Sequence, residues 1–265
     1  MSLLVRLLTA AFILLTFCAS VSITASAAEP NRVLVYTRNY TPDGKGYVHD
    51  NLAASVEAIR KLGQENGFEV DHSDDPAVFT AENLAKYDVI VFSSSNNEAF
   101  ATDAQRSAFQ TFLRSGKGFV GIHSATGSER KWPWFWEMIG GSFKYHPPMQ
   151  AFEVEVVGPA HPATTSLPFR FLVEDECYFH ENMNTHITPL LVADVSYLRG
   201  VRNPDGPQSP FGRRIPLAWF HRFEGARVFH TALGHKKEHY KDPRMLQQIL
   251  GGIQWAMGKA EAVPR

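Results

Sequence analysis

Apolar positions along the chain change period several times, and those changes outline the fold. "VLVY" (residues 33–36), "DVIVFS" (88–93) and "GKGFVGI" (116–122) are short continuous apolar runs, the signature of strands buried on both faces. Between them, Val48, Leu52, Val56, Ile59 and Leu62 recur at helical spacing. "ENLAKY" predicts a short helix and "DAQRSAFQTFLRSG" a longer one, with Asp103 near its start and Gly116 past its end. "GFEVDHS" supplies a further strand. Strand and helix alternating at this rhythm predict βαβ units and a parallel sheet.

Beyond residue 130 the rhythm changes. "KWPWFWEMIGGSF" predicts an aromatic helix stopped by paired glycines, and "QAFEVEVVG", "RFLVEDECYF" and "ITPLLVADVS" predict strands. "IPLAWFHRFEGARVFHTALGH" predicts a hairpin turning near Glu224–Gly225. A closing helix is expected over "DPRMLQQILGGIQWAMG", with Asp242 as cap and Pro243 at its first position. No repeat or linker divides the chain, so residues 29–265 are expected to form one elaborated α/β domain.

Residues 1–28 follow another logic. Arg6, the apolar "LLTAAFILLTFCAS" and the small-residue "ASAA" have the order of a secretory signal cleaved near Ala28. The expectation is an exported protein, periplasmic or secreted, with no stable membrane span once mature. Removing Arg6 takes the formal charge from −1 to −2, which offers no basic footprint for nucleic acid. Cys18 leaves with the leader. Cys177 then stands alone in an apolar run and reads as a packed thiol.

Parallel sheets gather ligands at the carboxyl ends of their strands, which directs attention to residues 37–40, 93–97 and 123–126. Eleven histidines are present, and His123 occupies the turn of "GFVGIHSATG". Small neighbours permit a sharp bend there that displays the imidazole above the sheet. It suits a general base, a proton shuttle or a metal ligand; the bland alternative is a core histidine satisfied by backbone. Ser124 has no local His/Asp pair to activate it. "HKKEH" (235–239) copies an inverted zinc-peptidase motif, but its first histidine closes a strand and Gly234 precedes it, so no helix brings both rings to one face. Of the aromatic cluster, Trp132, Phe135 and Trp136 are expected in the core and Trp134 exposed, where it could stack on sugar. "RNPDGPQSPFGRR" reads as a solvated loop.

"GIHSAT", "GGSFKYH", "EDECY" and "PLAWFHRFEGARVFHTALGHKKEHYKDP" together resemble the ThuA-like (trehalose utilisation) family across residues 31–258. The resemblance implies a class I glutamine amidotransferase-like fold: a flavodoxin-like, mostly parallel sheet flanked by helices, with a β-rich C-terminal elaboration. Where amidotransferases carry a cysteine at the elbow, this chain has His123, so glutamine hydrolysis is not expected. The family pattern points to His49, His123, His146, Glu176, Tyr178 and His235 as catalytic candidates. Crowded carboxylates in "EDECY" raise one pKa, whereas Glu174 and Asp175 read as an exposed strand end. His230 reads as packing. Asn96, Trp134 and Trp219 are the expected substrate contacts. His49, His123, His146 and His235 are the expected ligands of a divalent Zn, Fe or Ni ion. The implied activity is acid–base chemistry on trehalose-like or 3-keto disaccharides and glycosides. A non-catalytic carbohydrate-binding or accessory protein is the alternative. The partner expected is a small carbohydrate, with room for a homo-oligomer.

Overall fold

A computed structural model describes residues 29–202 and 209–263; the expected export signal lies outside them. The chain runs β1 (Asn31–Tyr36), β2 (Asn39–Tyr40), α1 (Leu52–Asn66), β3 (Phe68–Ser73), α2 (Ala81–Leu84), β4 (Val89–Ser93), β5 (Asn96–Asn97) and α3 (Asp103–Arg114). Next come β6 (Gly118–Ile122), a 3-10 turn (His123–Gly127), α4 (Pro133–Ile139), β7 (Ser142–Tyr145), β8 (Gln150–Val156), β9 (Arg170–Asp175) and β10 (Phe179–Glu181). β11 (Thr188–Asp194), β12 (Arg214–Phe223), β13 (Ala226–Thr231) and α5 (Pro243–Ala256) complete it.

Nine strands form one sheet in the order β3-β1-β4-β6-β13-β12-β11-β8-β9. It is parallel from β3 to β13 and antiparallel from β13 to β9. The β-rich elaboration thus continues the main sheet through the hairpin strand β13, which lies parallel to β6. Successive residues of the buried strands face opposite layers. Val33, Val35, Val89, Val91 and Val120 join a core with α1 and α5 residues. Leu34, Tyr36, Ile90, Phe92 and Phe119 join a second core with Phe109 of α3 and Phe135 of α4. Each such side chain contributes roughly 1.5–3 kcal/mol by leaving water.

Local chemistry sets the element ends. Thr102 and Gln105 form a capping box that starts α3. Asp242 caps α5, with Pro243 in its first turn as expected. Gly67 (φ 72°) and Gly140 (φ 105°) end α1 and α4 in the left-handed region. The strand expected across 170–179 stops at Asp175, so residues 176–178 bend away before β10. At the β9 edge, Leu172 O accepts from Arg244 Nη1 (3.0 Å) and Glu174 O from His239 Nε2 (3.2 Å). Among the described residues no helix is long and apolar enough to cross a membrane.

Candidate metal and acid–base site

The carboxyl ends of β6 and β13, the exit from β9 and the approach to α1 deliver side chains to one point. His123 takes φ +53° directly after β6, a left-handed conformation uncommon for a residue with a Cβ. Its fully buried ring places Nδ1 2.9 Å from Ala232 O. A carbonyl only accepts, so Nδ1 carries the proton and Nε2 keeps its lone pair. His49 repeats the arrangement. Ser124 Oγ donates to Ser95 O (3.2 Å) and so accepts from His49 Nδ1 (3.3 Å), leaving His49 Nε2 unprotonated. The two Nε2 atoms face each other at 3.0 Å. Two lone pairs at that separation repel unless a cation lies between them.

Two more donors complete the set. His235 Nδ1 lies 3.3 Å from His123 Nε2 and 3.0 Å from Glu176 Oε2, which is itself 3.6 Å from His123 Nε2. Ligand atoms of His49, His123, Glu176 and His235 all fall within 4.8 Å of one another. Asn51 holds two of the contributing segments together: from the start of α1 its amide donates to Gly234 O (2.7 Å) and His235 O (2.9 Å).

Burial, then the charge of His235, pushes the His49 imidazole down to about 4. Burial, then His49, drives His123 well below its ordinary value. The hydrogen bond it donates to Glu176 is the largest influence on His235 and raises it. Burial works to raise the Glu176 carboxyl, but the His235 bond and the charges of His146, His235 and His49 outweigh it, so it stays low. His49 and His123, held neutral beside an ionised Glu176, have the forms a divalent cation needs.

His146 stands outside the four-residue group. Its Nδ1 donates to Pro147 O (2.9 Å), and its Nε2 lies 3.3 Å from Glu176 Oε1. Of the four histidines expected as ligands, His49, His123 and His235 fall in this group, and Glu176, turned inward by the bend after Asp175, stands there where His146 was expected. Tyr178 donates its hydroxyl to His123 Nε2 (2.9 Å). Burial, then Glu176, lifts that phenol well above its ordinary range, so it stays protonated.

The expected substrate contacts are not gathered here. Asn96 is buried near this edge, its Oδ1 committed to Arg130 Nη2 and Asn97 N (both 3.0 Å). Trp219 is fully buried, its indole N–H on Ile139 O (2.8 Å). Trp134 is half-buried and donates to Glu224 Oε1 (3.2 Å). Glu224 belongs to the turn at the amino end of β13, the edge opposite His123, so Trp134 is no platform for this site. "HKKEH" forms a 3-10 turn over Lys237–Lys241, with His239 directed to Glu174 O. Cys177 is fully buried, and burial pushes its thiol up.

Sequence reasoning missed Asp175. Only 1% exposed, it accepts from Gly234 N (2.8 Å), His235 N (3.3 Å) and Glu176 N (2.8 Å), and lies 3.4 Å from His239 Nδ1. One carboxylate thereby fixes the backbone under two of the four clustered residues. Glu174 is the exposed strand end expected, paired with Lys236. Alternation was the available signal: Phe171, Val173 and Asp175 share a face, and that face is the core.

A mixed α/β sheet carrying a histidine–carboxylate centre at its strand ends defines the class. The family model for ThuA, trehalose utilisation, matches residues 32–256, and the chain belongs to that family. Among solved structures it is similar to a ThuA-like protein from Bacteroides uniformis ATCC 8492, with 25% identity, TM-score 0.69 and coverage of 91% of this chain and 98% of that one. A ThuA-like protein from Parabacteroides merdae ATCC 43184 gives 18% identity and TM-score 0.64, over 89% and 94%. A β-galactosidase from Bacillus circulans sp. alkalophilus shares the fold alone, at 11% identity and TM-score 0.52, over 89% of this chain and 32% of that one. No curated protein matches the sequence.

Proposed function

We propose that this protein is an exported sugar-active enzyme that uses a divalent-metal centre and His/Glu acid–base chemistry on trehalose-like disaccharides, above all their 3-keto derivatives. The observation that carries the reading is the pair of unprotonated Nε2 atoms, His49 and His123, facing each other at 3.0 Å with His235 and Glu176 beside them. Three imidazoles and a carboxylate fit Zn, Fe or Ni, and each of the two Nδ1–H groups is held by an oxygen acceptor, as ligating histidines require. A bound cation would supply Lewis acidity at a ketone and its neighbouring hydroxyl.

The chain's own residues account for proton movement. A ketone at C3 acidifies the C2–H bond of a glycoside. His146, half-exposed and held as the Nδ1–H form by Pro147, offers Nε2 to take that proton. The C2–H electron pair becomes the C1=C2 bond, and the C1–O bond breaks with its pair left on oxygen. Tyr178, whose hydroxyl is freed once His123 Nε2 is engaged, gives the departing oxygen its proton. Elimination needs no nucleophile, in keeping with a histidine at the elbow.

Elemental analysis of purified mature protein, combined with a 3-keto-trehalose cleavage assay, tests this reading. About one divalent ion per chain and turnover that disappears on chelation are expected. Metal-free protein with full turnover overturns the metal centre. Metal-loaded protein that binds the sugar without turnover makes it a binding protein.

A further inference from the structure

Seven large apolar side chains are exposed among the described residues, and three of them, Tyr40, Tyr47 and Val48, lie within nine residues on the segment that leads to His49. Phe169, Leu172 and Tyr197 belong instead to the far, antiparallel end of the sheet. Tyr47 is 61% exposed, yet its ring is fixed. It meets His49 edge-on at 4.7 Å and lies nearly parallel to His235, 20° apart at 6.4 Å.

The loop beneath it is closed and braced. Gly44 N and Gly46 N both return to Thr41, on O (3.0 Å) and Oγ1 (2.8 Å). β2 pairs with β5, anchoring Tyr40 to Asn97. Gly46 packs so tightly that a Cβ there would sit 2.6 Å from Asn97 Nδ2 and 2.8 Å from Thr41 Cγ2. Tyr47 is thus presented at a set height over the site.

Across the mouth stands a second wall. His146 stacks on Tyr178 (5.7 Å, 22°), and Tyr178 packs on Phe143 (4.5 Å). Glu176 lies between the walls, with Oε2 toward His235 and Oε1 toward His146. An aromatic face on one side and proton-handling groups on the other suit a flat ligand with one apolar C–H face and a rim of hydroxyls. That is a pyranose ring.

We propose that Tyr47 is the platform on which the C–H face of the substrate's pyranose ring rests while its oxygens reach Glu176, His146 and Tyr178. The inference rests on the sugar-active reading above and adds the residue that selects for a sugar ring. Tyr47→Ala should raise KM for 3-keto-trehalose about tenfold, the worth of one good aromatic contact, with kcat and metal content little changed. Tyr47→Phe should keep wild-type KM, because the ring face and not the hydroxyl does the binding. Gly46→Ala, which leaves the ring intact but displaces its support, should raise KM as Tyr47→Ala does.

Unreacted trehalose, followed by saturation-transfer NMR on the metal-loaded protein, separates this inference from the catalytic one. Binding that weakens in Tyr47→Ala without any wild-type turnover upholds the platform and overturns catalysis. Equal trehalose binding by wild type and Tyr47→Ala, with equal KM, overturns the platform and leaves catalysis standing. Wild-type protein that binds no trehalose and turns over no keto-sugar overturns both.

Discussion

The histidines of the interior and of the cluster form two groups that differ in what their nitrogens face. His161, His180 and His221 are dispersed through the core, and burial holds them down to about 4, 3 and 4. Each uses one ring nitrogen on a nearby polar group: Ala163 N, Thr126 Oγ1 and Met138 O. His230 is packed against Trp219 with both nitrogens unpartnered. His49, His123 and His235 are instead turned toward one another and toward Glu176. Burial alone makes an imidazole neutral. In the cluster the lone pairs left over converge.

The sharpest way to break that distinction is to remove one member of the converging group. His123→Ala should strip bound metal and lower turnover per folded molecule by about 10²–10⁴-fold, far beyond any loss that follows from a lower urea midpoint. A destabilised variant with normal turnover per folded molecule would move His123 into the dispersed group.

Acid should act on the dispersed group through stability. In the unfolded chain these histidines titrate near 6.5; in the fold they titrate well below it. The unfolded state therefore binds protons first on acidification, and stability present above 6.5 is lost as pH falls from there toward 4. A residue such as His161 contributes on the order of 3 kcal/mol to that loss. Urea midpoints from about pH 7.5 to about 4.5, measured in the His123→Ala background to exclude metal release, check it. A flat profile would mean these rings reach solvent.

Asp175 tests whether convergence is imposed from behind. Asp175→Asn removes charge from the carboxyl that gathers Gly234, His235 and Glu176, and metal affinity by competitive chelation should fall about 10–100-fold. Unchanged affinity in a folded variant would reduce Asp175 to packing. The smallest effect is expected at Cys177, between Glu176 and Tyr178 in sequence. Cys177→Ala should cost about 1 kcal/mol and leave turnover intact, and loss of turnover without unfolding would bring a thiol into the chemistry.

What could be read from sequence followed physical range. The parallel half was legible because βαβ units are local: apolar runs, caps and helix stops lie within about thirty residues of one another. His123 was legible as a strand-end residue, and His49 and His235 through the family pattern. The route by which β13 joins β6 was not, since that pairing spans over a hundred positions and leaves no periodic trace. Asp175 was missed because an acidic residue at a strand end ordinarily faces water, and only the returning Gly234–His235 backbone supplies the donors that let it be buried. Trp134 misled because an indole on a short helix looks the same whichever sheet edge it packs near. Two-residue β2 and β5, which brace the Tyr47 loop, are too short for any pattern.

The two side-chain bonds at the β9 edge matter beyond the domain. A bare edge strand is a template on which another chain can lay its own backbone. Here Arg244 occupies the Leu172 carbonyl and His239 the Glu174 carbonyl, so two of the acceptors that an incoming strand would need are already taken. Growth of the sheet by strand addition is checked at its ninth member. The stretch from residue 235 to 244 thus begins with a member of the histidine–carboxylate cluster and ends with a side chain that covers the open edge of the sheet.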